Sequence, residues 1–281
     1  MEHIRLSTPE DIPTLRCLWT LAFGDGGAYL DNFFDSYYKP ERMIVLVQDH
    51  EVRAMTAWFD TSFVVPCQGE YRAAYLYAVA THPGCRGQGL AGRLLAWADS
   101  YFQTLDIPAV TTVPAEPSLH SFFSSNGFRE CFCHDEVLLA PCAQPAPFTL
   151  EPIPPETYAG LREAILRDTP HIRLPVEAVA YQAGCSTISG GGLYAAETGS
   201  GVVILCAEGM ADGKLLVKEL LGQPTACEEI DNSLHVLLPG FSGICRFPGK
   251  KVQFGMLKWL DKTLENQWNW DTAAYLGLAF D

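Results

Sequence analysis

The chain has 281 residues, enough for two ordinary domains. Its 48% hydrophobic and 19% charged residues describe a globular chain, and its formal net charge of −14 argues against non-specific nucleic-acid binding. No apolar run reaches the length of a membrane-spanning helix, and Met1-Glu2-His3-Ile4-Arg5 does not begin a signal peptide.

Ser7-Thr8-Pro9-Glu10 opens a helix with a hydroxyl cap, a first-turn proline and an early acid. Its buried face is Ile12, Leu15, Leu18, Trp19 and Ala22, and Gly24 to Gly27 break it. A second helix runs through Tyr29, Leu30, Phe33, Phe34 and Tyr37, with its aromatics read first as core. Residues 43–47 and 52–59 are two strands around the turn Gln48-Asp49-His50-Glu51, and Phe63-Val64-Val65 belongs to a third. Ala74 to Val79 is a buried strand that stops near Pro83, because proline cannot donate to a ladder. Leu90, Leu94, Ala98 and Tyr101 then recur at helical spacing. Residues 107–113 form a strand, Pro117 to Phe123 a short helix stopped by Asn126-Gly127, and residues 128–133 and 136–140 a terminal pair of strands. The first half is thus an α/β domain, a mixed sheet with helices on both faces.

Between strand and helix, Gly87, Gly89 and Gly92 sit where the turn becomes helical. The first N–H groups of a helix lack internal partners, and its dipole is positive there. Glycines let a phosphate approach the backbone, so the turn suits a diphosphate, with Arg86 and Arg93 at its rim. A P-loop would need Lys-Ser or Lys-Thr after the glycines, and neither follows. The spacing also satisfies G-x-G-x-x-G, but it lies mid-domain and no acidic residue ends the next strand.

The pattern Arg86-Gly87-Gln88-Gly89-Leu90-Ala91, continued by Gly92 and preceded by Val79-Ala80-Thr81-His82-Pro83, resembles the acyl-CoA-binding segment of the GNAT superfamily of N-acyltransferases. Phe122-Phe123-Ser124-Ser125-Asn126-Gly127-Phe128 resembles that family's later helix. The resemblance implies the GNAT fold. It implies that Val79, Ala80 and Thr81 hold the acetyl and pantetheine part of acetyl-CoA. It implies that the N–H groups of Gly87, Gln88, Gly89, Leu90, Ala91 and Gly92, beside Arg86, hold the diphosphate. Phe123 stands where the family often has a tyrosine acid. The candidates for proton transfer are therefore His120, Glu116 and Tyr77, with His82 serving the turn. Some multidomain relatives use a C-terminal carboxylate as base, which makes Asp281 a further candidate; the plainer reading of residues 274–281 is an edge strand.

Pro141 to Pro155 is proline-rich, and a boundary near residue 146 divides a GNAT domain (1–145) from a second unit (146–281). The second unit repeats the first in weaker form: helices at 157–166 and 175–183, strands at 192–197 and 202–206, then a strand at 214–221 matching 75–79. After it, Gly222 to Glu229 lacks the glycines and brings Glu228 and Glu229 to a helix start, where they would repel a diphosphate. This is a GNAT-like half without the cofactor motif. The ten cysteines form no C-x-x-C pair and no ligand quartet; they read as reduced, mostly buried thiols of a cytoplasmic protein without a metal site.

The function expected is transfer of an acetyl group from acetyl-CoA to a primary amine of a small molecule or peptide. A sensor or scaffold that binds acyl-CoA without turnover is the alternative, and a nicotinamide-dependent oxidoreductase a third reading. The expected partners are the amine and, optionally, a second copy in a homodimer, with no nucleic acid and no membrane.

Overall fold

The computed structural model describes residues 2–139, 149–199, 201–210, 212–222 and 242–280. Strand β1 (Glu2–Leu6) comes first and lies ahead of the expected helix. It is short and mostly polar, and it is held by antiparallel pairing with β2 (Met43–Gln48). Thr8 does begin the helical segment, but the reaching acid is Asp11: its carboxylate accepts from the Thr8 N–H at 2.7 Å. One 3-10 turn (Pro9–Asp11) then leads into α1 (Ile12–Phe23), and Gly24 closes that helix in the left-handed conformation. Helix α2 (Gly27–Ser36) follows.

The strands expected around 52–59 and 63–65 are one element, β3 (Glu51–Val65), which pairs along β4 (Gly69–Thr81). Helix α3 (Leu90–Thr104) buries Leu90, Leu94, Leu95, Ala98 and Phe102 against Trp58, Leu76 and Val110. Then come β5 (Ala109–Thr112), α4 (Pro117–Ser125) and β6 (Arg129–Leu139). The expected terminal pair of strands is therefore a single continuous strand.

The second half contributes β7 (Glu151–Pro152), α5 (Pro155–Leu166), β8 (His171–Arg173) and α6 (Val176–Ile188). It continues with β9 (Gly192–Thr198), β10 (Gly201–Gly209), β11 (Leu215–Gly222), β12 (Gly243–Pro248), β13 (Val252–Trp259) and α7 (Lys262–Gln267). The expected linker centre at 146 and the expected helix start at Glu228 and Glu229 lie outside the described residues.

All these strands form one sheet, in the order β1-β2-β3-β4-β5-β13-β6-β12-β11-β10-β9-β7, with β8 attached to β3. Reading inward from either end, three antiparallel pairings are followed by one parallel pairing: β4 with β5, and β11 with β12. At the centre the halves exchange strands. The C-terminal β13 lies beside β5, and β6 of the first half lies beside β12. A separate second sheet is not what forms.

Residues 274–280 are not an edge strand. The segment is buried and threads between β6 and β8, bonding to Cys131 and Cys133 on one side and to Pro170 and Ile172 on the other. The second half grips it further. Arg162, 1% exposed, pairs with the fully buried Glu219 (Nε to Oε2, 3.0 Å) and donates to the Leu276 carbonyl at 2.8 Å. Gly277 passes that pair at φ +76°, where a Cβ would collide with a Glu219 carboxylate oxygen. The backbone can cross the ion pair only as glycine.

Candidate functional site: a splayed strand pair above a glycine turn

The parallel pairing of β4 with β5 runs from Ala73–Ala109 to Leu76–Thr112 and ends there. On its other side β4 bulges. Met55 faces Ala80 and Ala57 faces Tyr77, so β4 carries one residue more than β3, and Ala78 takes φ +52°. The Thr56 hydroxyl donates to the Tyr77 carbonyl at 3.2 Å inside this irregularity. The bulge turns β4 away from β5. Residues 77–81 thus present backbone amides without a strand partner on the β5 side, among the described residues.

The chain then turns into α3. His82 donates its backbone N–H to the Arg53 carbonyl at 2.8 Å, and its ring Nδ1 accepts from Gly84 at 3.2 Å, so His82 shapes the turn as expected. Gly87 and Gly89 stand at φ +77° and +73°, and no side chain caps the helix start. Gln88 and both glycines are exposed. A positively polarised helix end with open N–H groups results, and it suits a diphosphate. At Gly92 α3 approaches the end of α4, and a Cβ would sit 3.4 Å from the Asn126 amide oxygen, a contact that leaves room for a small side chain. Arg86 bonds back to the Thr81 carbonyl, while Arg93 is tied to Glu2 at 3.0 Å and to the Gln88 carbonyl at 3.1 Å. Arg93 thus braces the turn.

Where β4 and β5 part, a cleft of about 340 Å³ opens. Trp19 and Phe23 of α1 line it, with Asp25, Tyr75 to Val79 of β4, Thr112 and Val113, Leu119 and Phe123 of α4, and Phe280. Phe123 is buried with its ring edge-on to Phe128, so the α4 wall offers no hydroxyl at that position. Tyr77 meets Tyr181 of the second half, oxygen to oxygen at 3.0 Å. Burial pushes both phenols well above their ordinary pKa, so both stay protonated near neutrality. His120 bonds Glu130 at 2.7 Å, and Glu116 accepts from Ser118 at 3.3 Å. Neither His120 nor Glu116 lines the cleft, although their neighbours Leu119 and Ala115 do. Asp281 lies outside the described residues; Phe280 before it packs 4.0 Å from Phe59 and stacks on Tyr75 at 5.5 Å.

Sequence reasoning missed Asp25. It sits in the glycine break after α1, where an acid reads as a solvated turn residue. The Trp19 indole N–H donates to its Oδ2 at 2.9 Å, and it is the one charged side chain lining the cleft among the described residues.

Residues 3–130 match the family described as Acetyltransferase (GNAT) domain. This segment is a GNAT acetyltransferase domain. The fold of the whole chain is similar to that of a GCN5-related N-acetyltransferase from Anabaena variabilis ATCC 29413, at 14% identity and a TM-score of 0.74, covering 93% of this chain and 73% of that one. Eis1 from Mycobacterium abscessus is similar at 13% identity and a TM-score of 0.67, covering 92% and 74%. A putative acetyltransferase from Pyrococcus horikoshii is similar at 12% identity and a TM-score of 0.59, covering 98% and 94%. No curated protein matches the chain. The GNAT domain contains the glycine turn and most of the cleft wall, and Phe280 reaches that cleft from the far end of the chain.

Proposed function

We propose that the chain transfers an acetyl group from acetyl-CoA to a primary amine of a small molecule or peptide. The observation that carries this is the parting of β4 from β5 directly above an uncapped, glycine-lined helix start. A coenzyme A thioester fits both features. The N–H groups of Gly87 to Gly92, beside Arg86, would take the diphosphate. The free backbone edge of Val79, Ala80 and Thr81 would pair with the amides of the pantetheine arm. The acyl group then lies in the cleft, where backbone N–H groups stabilise negative charge on its carbonyl oxygen.

Transfer forms a carbon–nitrogen bond and breaks the carbon–sulfur bond. An alkylammonium, with pKa about 10.4, must first lose a proton, and the thiolate gains one. The Tyr77–Tyr181 pair holds protons at the cleft wall. We place Glu116 and His120 at the outer lip, where they would exchange protons through water. Asp281 follows the cleft residue Phe280 in the chain, and we propose it as a base.

We read the chain as two GNAT-like halves, 1–145 and 146–281, of which only the first keeps the cofactor turn. The mirrored strand order supports this. Phe123 favours one competing reading, an acyl-CoA sensor, because binding requires no acid. Thiol release from acetyl-CoA over a panel of amines decides. Amine-dependent release supports transfer, and thermal stabilisation by acetyl-CoA without release supports the sensor.

A further inference from the structure

The cleft's chemistry narrows the acceptor. Six aromatic rings line it: Trp19, Phe23, Tyr75, Tyr77, Phe123 and Phe280. The remaining lining is aliphatic or small, except Thr112 and Asp25. Asp25 comes from the α1 side, opposite the β5 and α4 residues in chain origin, and α1 contributes only Trp19 and Phe23 besides. Its carboxylate is oriented, because Trp19 Nε1 binds Oδ2 and the Thr20 hydroxyl binds its own carbonyl at 3.0 Å. No cation of the cleft wall answers it: among the described residues, no Lys, Arg or His lines the cleft. Phe23, 42% exposed, leaves an apolar rim at the mouth.

We propose that the acceptor is a compact amine with an aromatic body and no carboxylate. Its ammonium enters against Asp25 beside the faces of Trp19 and Phe23, with its ring among the other rings of the cleft. The nitrogen then gives its proton to Asp25 and attacks the acyl carbon as the neutral amine, while the carbon–sulfur bond breaks and the departing thiolate is protonated. This rests on the acetyltransferase reading above. A cation gains from a carboxylate and from aromatic faces together. A sugar amine would set several hydroxyls against a wall that is mostly aromatic and aliphatic, with few side-chain partners, each unpaired hydroxyl at a cost. An amino acid would bring a second carboxylate toward Asp25 with no cation to receive it. The volume of about 340 Å³ suits a small ligand, since such sites run from about 300 Å³ upward.

The test uses the full chain with 2-phenylethylamine, phenylalanine and glucosamine as probes. Acetyl transfer and calorimetric binding to the CoA-loaded protein are both measured. 2-Phenylethylamine should exceed both others in kcat/KM, or in affinity, by about tenfold or more. Asp25→Asn should raise its KM or Kd by about thirtyfold, Asp25→Glu should recover part of the loss, and acetyl-CoA affinity should not change. Preference for glucosamine or phenylalanine, or an Asp25→Asn variant as good as the parent, would overturn the proposal and leave the acetyltransferase reading intact. Failure to bind acetyl-CoA at all would instead remove that reading, and this inference with it.

Discussion

Phe123 removes a hydroxyl from the α4 wall of the cleft, so proton traffic must use other groups. Tyr77 and Tyr181 hold their protons because burial raises both phenols. The same shift carries a stability consequence. In the unfolded chain these tyrosines ionise near pH 10, while in the folded chain they resist. Their contribution is full below about pH 10 and is lost as pH rises beyond it. The urea midpoint should fall between about pH 9.5 and 11, and the double variant Tyr77→Phe/Tyr181→Phe should blunt that fall. An unchanged slope in the double variant would rule these phenols out as its source. His120 and Glu116 face an independent check. If they relay the amine's proton, His120→Ala should lower kcat/KM by about tenfold or more and alter its pH profile. A profile identical to the parent would place the relay elsewhere.

Among the elements, the strand, glycine turn and α3 were legible in the sequence because they are local. Proline stops the strand, glycines permit the left-handed turn, and helical spacing marks the buried face of α3. β1 was missed although Ile4 and Leu6 alternate with His3 and Arg5 and pack on the core: two apolar residues are a short signal, and pairing with β2 fixes the strand. Nor was the path of residues 274–280. An apolar run of that length reads as an edge strand, and only the tertiary fold places it between β6 and β8. Asp25 was hidden for a related reason: its role depends on which cavity the break after α1 meets. The buried pair Arg162–Glu219 then fixes the segment that ends at Phe280. Arg162→Ala should cost about 3–5 kcal/mol in denaturant unfolding, because it leaves Glu219 buried without its cation. A cost below about 1 kcal/mol would contradict a buried, paired Glu219. Phe280→Ala, farther along the same segment, should raise the acceptor KM more than it lowers acetyl-CoA affinity.

At the scale of the molecule, the exchanged strands make each half depend on the other. A fragment of residues 1–145 retains the glycine turn but lacks β13, which separates β5 from β6. Neither neighbour could keep its central pairing, and two exposed edges invite aggregation. The fragment alone should be insoluble or unfolded by circular dichroism, and co-expression with 146–281 should restore a soluble complex. A stable, monomeric 1–145 would show that the exchange is dispensable. The strand exchange was not legible, because it is a non-local choice that composition and spacing do not reveal. The second half also supplies Tyr181 and Phe280 to the cleft region, so both halves build the cleft, while the glycine turn lies wholly in the first.

Whether the α3 start grips the diphosphate of acetyl-CoA can be measured cleanly at Gly87. Gly87 stands at φ +77°, so any side chain there strains the turn even though a Cβ meets nothing within 4 Å; Gly87→Asn, with the same strain and no charge, is the control for Gly87→Asp. Acetyl-CoA is titrated calorimetrically into the parent, Gly87→Asn and Gly87→Asp. The parent should bind at one site per chain, and Gly87→Asp about a hundredfold more weakly than Gly87→Asn, because a carboxylate then faces the diphosphate. Equal affinity in the two variants, or none in the parent, would contradict a diphosphate held at this turn.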